Sequence, residues 1–81
     1  MQIRFSRHAR RRMKLYDIDE TDVEDVVLTK VLGSPGIVGR VEVVEERFEN
    51  KYRYPLKVVF VVENEQIEIV TAYPLKGKNV R

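Results

Sequence analysis

The side chains best equipped for chemistry crowd the start of the chain. His8 is the single histidine, and it sits among Arg4, Arg7, Arg10, Arg11, Arg12 and Lys14, six cations within eleven residues and no acid between them. Imidazole is the side chain whose ordinary pKa lets it both take and give a proton near neutrality. A planar guanidinium can hold a phosphate through two parallel hydrogen bonds, which suits Arg11 and Arg12 to a phosphate clamp better than lysine would be. The chemistry on offer is proton transfer beside a bound oxyanion. Each residue also has a plain structural reading: His8 as a helix-start histidine bonded to backbone, and Arg12 as the partner of Asp22 or Asp25 on a second helix. For the cluster as a whole, like-charged pairs such as Arg7/Arg11 and Arg10/Lys14 repel along a helix by ~0.2 to 0.5 kcal/mol each, a cost that an anionic ligand relieves.

Further candidates lie later in the chain. Lys57 falls within a strand on its non-core side, so it projects from a rigid base, although edge protection is as ordinary a reason for a lysine there. Tyr73 ends the last strand. Simple alternation puts it on the core side together with Thr71, which favours a structural use, while its position at the strand end leaves the hydroxyl within reach of water. The run Tyr52-Arg53-Tyr54 interleaves aromatics with a cation as single-strand RNA platforms do, and equally as paired strands do. Residues 70–81 add Lys76, Lys78 and Arg81 without an acid, whereas residues 17–69 hold all 13 acids and only six bases. The two ends thus carry +9 and the middle −7, an arrangement that points to nucleic-acid phosphate far more than the net charge of +2 does.

Composition sets the limits within which these residues act. With 81 residues there is room for one domain and one modest core, since a chain this short buries only ~60% of its unfolded surface. The absence of cysteine removes disulfides, thiol nucleophiles and thiolate metal sites, and one histidine leaves little for an imidazole cage, so neither a metal nor another cofactor is expected. No apolar run approaches the ~20 residues a membrane span needs, so a cytoplasmic protein without membrane attachment is expected. Glu, Lys, Arg and Val dominate while Gln and Asn total five, a balance that leans toward a heat-adapted source.

The elements that must position these side chains are legible as patterns. Gln2 to Phe5 alternates as a short strand, and Ser6 can cap a helix running to about Tyr16. Ala9, Met13 and Tyr16 form its apolar stripe, with the cations spread over the rest. A second helix can start from Asp19, with Ile18 and Val23 as a hydrophobic staple, or from Thr21 with Glu24 as a capping box. Val23, Val26, Val27 and Val31 form its buried face, and it should stop near Leu32 before the breakers Gly33, Ser34, Pro35 and Gly36. The remainder reads as three strands, 37–48, 52–62 and 66–73. The last two make a hairpin in which Val62 faces Ile67, Phe60 faces Ile69, Val58 faces Thr71 and Leu56 faces Tyr73 on the core side. The other side pairs Val61 with Glu68, Val59 with Val70 and Lys57 with Ala72. Val59, Val61, Val70 and Ala72 would then form an apolar patch for a partner or a homodimer, unless strand propensity alone selected them and the Lys57 and Glu68 stems shield them. The expected fold is α+β, with two N-terminal helices on one face of a three- to four-stranded antiparallel sheet.

The stretch Phe5-Ser6-Arg7-His8-Ala9-Arg10-Arg11-Arg12-Met13, followed by an acidic helix and a hairpin ending Val70-Thr71-Ala72-Tyr73-Pro74, resembles a family of small prokaryotic domains of unknown function. Their first helix carries a serine, a variable residue, histidine-alanine and an arginine-methionine pair. That family is in turn distantly similar to the BrnT and RelE groups of toxin–antitoxin systems, small α+β ribonucleases neutralised by a partner protein. The resemblance implies metal-independent cleavage of RNA, in which the 2′-hydroxyl attacks the adjacent phosphate. By position it makes His8 and Arg12 catalytic, with Lys57, Tyr73 and Lys76 as loose equivalents of the groups such toxins use near the sheet and C-terminus. Lys57 is taken as the third catalytic candidate, and the charge of the two ends makes Arg7, Arg10, Arg11, Lys76 and Lys78, with Tyr73 beside them, the candidate RNA contacts. RNA and a cognate antitoxin are the implied partners. Two rival readings stand beside it: a nucleic-acid-binding module without turnover, and a homodimer subunit that buries the valine face.

Overall fold

The computed structural model describes residues 2–76. Gln2–Phe5 forms β1, Arg7–Tyr16 α1 and Glu20–Leu32 α2. Gly39–Glu45 is β2, Glu49–Tyr52 the short helix α3, Leu56–Glu63 β3 and Gln66–Pro74 β4. The four strands form one sheet in the order β1-β4-β3-β2. The fold is α+β with helices on the sheet, as expected. β2/β3 and β3/β4 are antiparallel, whereas β1 joins β4 in parallel, so the sheet is mixed. A parallel neighbour needs a crossover, and the whole segment from α1 to β3 supplies it.

The core lies between the helices and one sheet face. Ala9 and Met13 of α1, Ile18, and Val23, Val26 and Val27 of α2 bury against Leu56, Val58, Phe60, Val62, Ile67, Ile69 and Ala72. Phe60, wholly enclosed, is its largest member. Truncating such a side chain to alanine typically costs ~3 to 5 kcal/mol through lost burial and the cavity left behind.

Local chemistry fixes the helix ends. The hydroxyl of Ser6 caps α1 by accepting from the Ala9 N–H at 3.0 Å. At the other end Asp17 takes the left-handed conformation with φ of 58°, its N–H reaches the Lys14 carbonyl, and the Ile18 N–H reaches back to Met13 at 2.8 Å. That pattern closes the helix and drops Ile18 into the core. α2 starts from Asp19, whose backbone carbonyl takes the first turn while its carboxylate makes no cap. Ile18 and Val23 are both buried, as the staple requires.

Three details differ from simple alternation. The β3/β4 hairpin turns through Asn64 and Glu65 alone, both with positive φ, the backbone of a type I′ turn. Val62 faces Ile67 and Phe60 faces Ile69 as the pattern requires, but Val59 then faces Thr71, so Val70 is an extra residue in β4. This bulge shifts everything after it by one. Val58 faces Ala72 and Leu56 faces Pro74 on the core side, while Lys57 faces Tyr73 on the open side. The expected pairings of Val58 with Thr71, Leu56 with Tyr73, Val59 with Val70 and Lys57 with Ala72 are therefore corrected. Thr71 and Tyr73 belong to the open face and Ala72 to the core. The expected apolar patch goes with them: Ala72 is buried in the core, Val59 is only 3% exposed, and Val61 and Val70 are half-buried.

The second difference is at residues 52–55. Strand begins only at Leu56, because Tyr52 is the last residue of α3 and Arg53 turns the chain with φ of 72°. The Tyr52 hydroxyl donates to Asp22 at 2.6 Å and accepts from the Asp19 N–H at 3.1 Å. This tertiary anchor outweighs the strand propensity of two tyrosines. The third is β2, which stops at Glu45 rather than Phe48; Phe48 instead precedes α3 and packs edge-on against Tyr52.

Candidate nucleic-acid interface

α1 is bolted to the bulge. The Ser6 N–H donates to the Ile69 carbonyl at 3.0 Å, and the Ser6 hydroxyl donates to the Val70 carbonyl at 2.9 Å while capping its own helix. A single serine thus satisfies the helix start and the extra residue of β4, worth ~1 to 2 kcal/mol as a cap alone. From that anchor α1 runs alongside the part of β4 that β1 leaves unpaired, since β1 covers only Gln66–Ile69. The helix pitch then gives each flank a role. Ala9 and Met13 point into the core, Arg10 lies on the flank toward α2, and His8, Arg11, Arg12 and Leu15 lie on the opposite flank.

On that second flank the Arg12 guanidinium lies over the ring of Tyr73, 4.9 Å from its centroid. Arg12 has no carboxylate partner among the described residues. The acids that could have held it are engaged elsewhere: Asp22 by Lys51 at 2.7 Å and by Tyr52, Asp25 by Arg47 at 3.4 Å. One turn earlier on the same flank stands His8, exposed. Lys57 faces Tyr73 across the β3/β4 pair, half-buried, with its ammonium 3.0 Å from Glu42. Hydrogen bonding and charge from Lys57 hold the Glu42 carboxyl below its ordinary range. Two residues before Tyr73 on β4, opposite Val59, the Thr71 hydroxyl is enclosed and has no hydrogen-bond partner among the described residues.

The remaining sequence candidates divide. Arg7 and Arg11 are exposed on α1 with no carboxylate partner among the described residues. Arg10 donates to Glu20 and covers the Phe5 ring at 5.2 Å, so its charge is partly spent. Lys76 lies over the ring of Tyr16 at the end of α1, 5.2 Å away, which brings this cation onto the basic helix. Lys78 lies outside the described residues. Tyr52-Arg53-Tyr54 is not an extended platform, since Tyr52 is tied to Asp22.

Simple alternation missed that Tyr73 and Thr71 share the open face with Lys57. A signal for it was present: the unbulged register puts a threonine inside and an alanine outside, and a slip of one residue repairs both.

No helix among the described residues is long and apolar enough to cross a membrane. No curated protein and no solved structure matches the chain. A family model does match, over residues 5–74, which takes in Ser6, His8, Arg12, Lys57 and Tyr73 together, and the chain belongs to the family described as a domain of unknown function, DUF4258.

Proposed function

We propose that this protein is a metal-independent endoribonuclease of the toxin type, acting through the flank of α1 that faces Tyr73. The observation that carries the proposal is the Arg12 guanidinium, stacked on Tyr73 at 4.9 Å with no carboxylate partner among the described residues, one turn from the single histidine, while Lys57 faces Tyr73 across the β3/β4 pair. An arginine held by an aromatic face keeps its N–H groups for an anion. In this reading Arg12, with Lys57 beyond Tyr73, takes the non-bridging oxygens of a phosphodiester and stabilises the added charge of the five-coordinate phosphorus. His8 accepts the proton of the 2′-hydroxyl as that oxygen attacks phosphorus. The bond to the 5′-oxygen breaks, that oxygen takes a proton from water at the open face, and the products are a 2′,3′-cyclic phosphate and a 5′-hydroxyl. Arg7, Arg11 and Lys76 extend the electropositive rim along the strand. An acidic antitoxin would neutralise the same rim.

RNA incubated with the protein in chelator is expected to yield cyclic-phosphate ends. His8→Ala and Arg12→Ala should each reduce cleavage by ~10²-fold or more, the usual scale for a lost general base or charge stabiliser. Lys57 is shared with Glu42 and the site lies on an open face, which favours a second reading, a binding module without turnover. Salt-sensitive RNA binding with intact RNA, with or without divalent metal, would select that reading and end the enzymatic one.

A further inference from the structure

β2 is an edge strand. It pairs with β3 from Gly39 to Glu45, and no strand among the described residues lies along its other side. Natural edges are usually guarded by repelling charge, proline or a bulge, which stop another chain from adding on. The charges on β2 are of a different kind, because they alternate in sign along one row. Arg40, Glu42 and Val44 point to the open face, and Val38 lies just before the strand, ahead of Gly39 with its φ of 83°. A two-fold axis at Val41 relates Arg40 to Glu42 and Gly39 to Val43.

We propose that β2 pairs antiparallel with β2 of a second copy, on a two-fold axis at Val41, joining two sheets into one of eight strands. A closed dimer requires a patch that complements itself, and this register supplies one. Each Arg40 lies opposite Glu42 of the second copy, so the seam carries two opposite-charge pairs. Val44, 39% exposed in the single chain, and Val38, 75% exposed just before the strand, add apolar surface at the ends of the seam. Gly39 on the core side leaves room for Val43. Shifting the axis one residue to Glu42 would instead set that carboxylate against its own copy, so charge selects the register. Glu42 already accepts from Lys57 at 3.0 Å through one oxygen and from Arg40 of its own chain at 3.4 Å through the other. Exchange of the longer contact for one across the seam costs little. A seam of one strand is smaller than the ~1,200 Å² of a standard interface, so the dimer is concentration-dependent. Because cross-strand pairs share a face, both open faces lie on one side of the joined sheet, with the two β4 strands ~24 Å apart at ~4.8 Å per strand.

Sedimentation of the full chain over a concentration series, without nucleic acid, tests this independently of any activity on RNA. The wild type should dimerise reversibly. R40E sets acids against acids and E42R sets bases against bases, and each should weaken the dimer by about tenfold or more as two attractions become two repulsions. Mixing the two variants should restore it, since an all-acid row then meets an all-basic one. V38D, outside the strand and away from Lys57, should also weaken the dimer while circular dichroism stays unchanged. A wild type that remains monomeric throughout overturns the proposal, as does a dimer indifferent to all three changes or a mixture no more associated than its parts.

Discussion

Arg12 and Tyr73 form the smallest unit on which the functional reading rests. The ring fixes where the guanidinium lies without consuming its hydrogen-bond donors, a combination that a carboxylate partner could not provide. The ring face rather than the phenol should therefore matter for RNA affinity. Tyr73→Phe is expected to bind a short single-stranded RNA as the wild type does, whereas Tyr73→Leu should bind two- to fivefold more weakly, the equivalent of ~0.5 to 1 kcal/mol for an exposed cation–π contact. Fluorescence anisotropy at fixed salt measures both, and a Phe variant as weak as the Leu variant would assign the role to the hydroxyl instead. The sequence marks both residues as polar or aromatic candidates but does not bring them together, because one extra residue at Val70 decides which face Tyr73 occupies. His8 and Arg12, by contrast, lie one helical turn apart, and their shared flank follows from spacing alone.

Among the elements, α1 and α2 were legible from caps, staples and apolar spacing, and the β3/β4 hairpin from its alternation up to the bulge. α3 was not, for a physical reason: four residues have little helical stability of their own, and this turn is held by partners far away in sequence. Lys51 donates to Asp19 at 2.8 Å and to Asp22 at 2.7 Å, and Tyr52 donates to the same Asp22, so one turn of helix clamps the start of α2. Burial raises the Asp22 carboxyl, but hydrogen bonds from Lys51 and Tyr52 outweigh it and leave it below its reference of 3.8. A carboxyl whose folded pKa is depressed contributes stability that is complete above the unfolded pKa and is lost as pH falls through the folded one. The clamp should hold at neutral pH and weaken below about pH 4. Thermal unfolding followed by circular dichroism is expected to show an acid limb that flattens in Asp22→Asn. An unchanged limb in that variant would place the acid sensitivity with other carboxylates, such as Glu42 beside Lys57.

Taken whole, the molecule converts a charge asymmetry in its sequence into one in space. Among the described residues seven of the 13 acids of the middle segment are paired: Asp19 and Asp22 by Lys51, Asp25 and Glu45 by Arg47, Glu20 by Arg10, Glu42 by Lys57 and Arg40, and Glu68 by Arg4. The cations of the outer flank of α1 are not, and Lys76 joins them at the far end of the helix. Lys76 reaches α1 through the ring of Tyr16, whereas the pairing of Asp19 and Asp22 with Lys51 depends on α3, which sequence patterns did not reveal. A rim of this kind binds nucleic acid chiefly by releasing counterions. With Arg7, Arg11, Arg12 and Lys76 as the contributing cations, the slope of log affinity against log salt for single-stranded RNA should be about −2 to −3, from ~0.7 per neutralised phosphate. Arg12→Ala should reduce that slope by about 0.7, and Arg10→Ala should change it much less because Glu20 already offsets that charge. Anisotropy titrations at several salt concentrations read both differences. Equal losses for the two variants would mean that binding follows total charge and not this flank, and a slope near zero would remove phosphate from the account of the surface altogether.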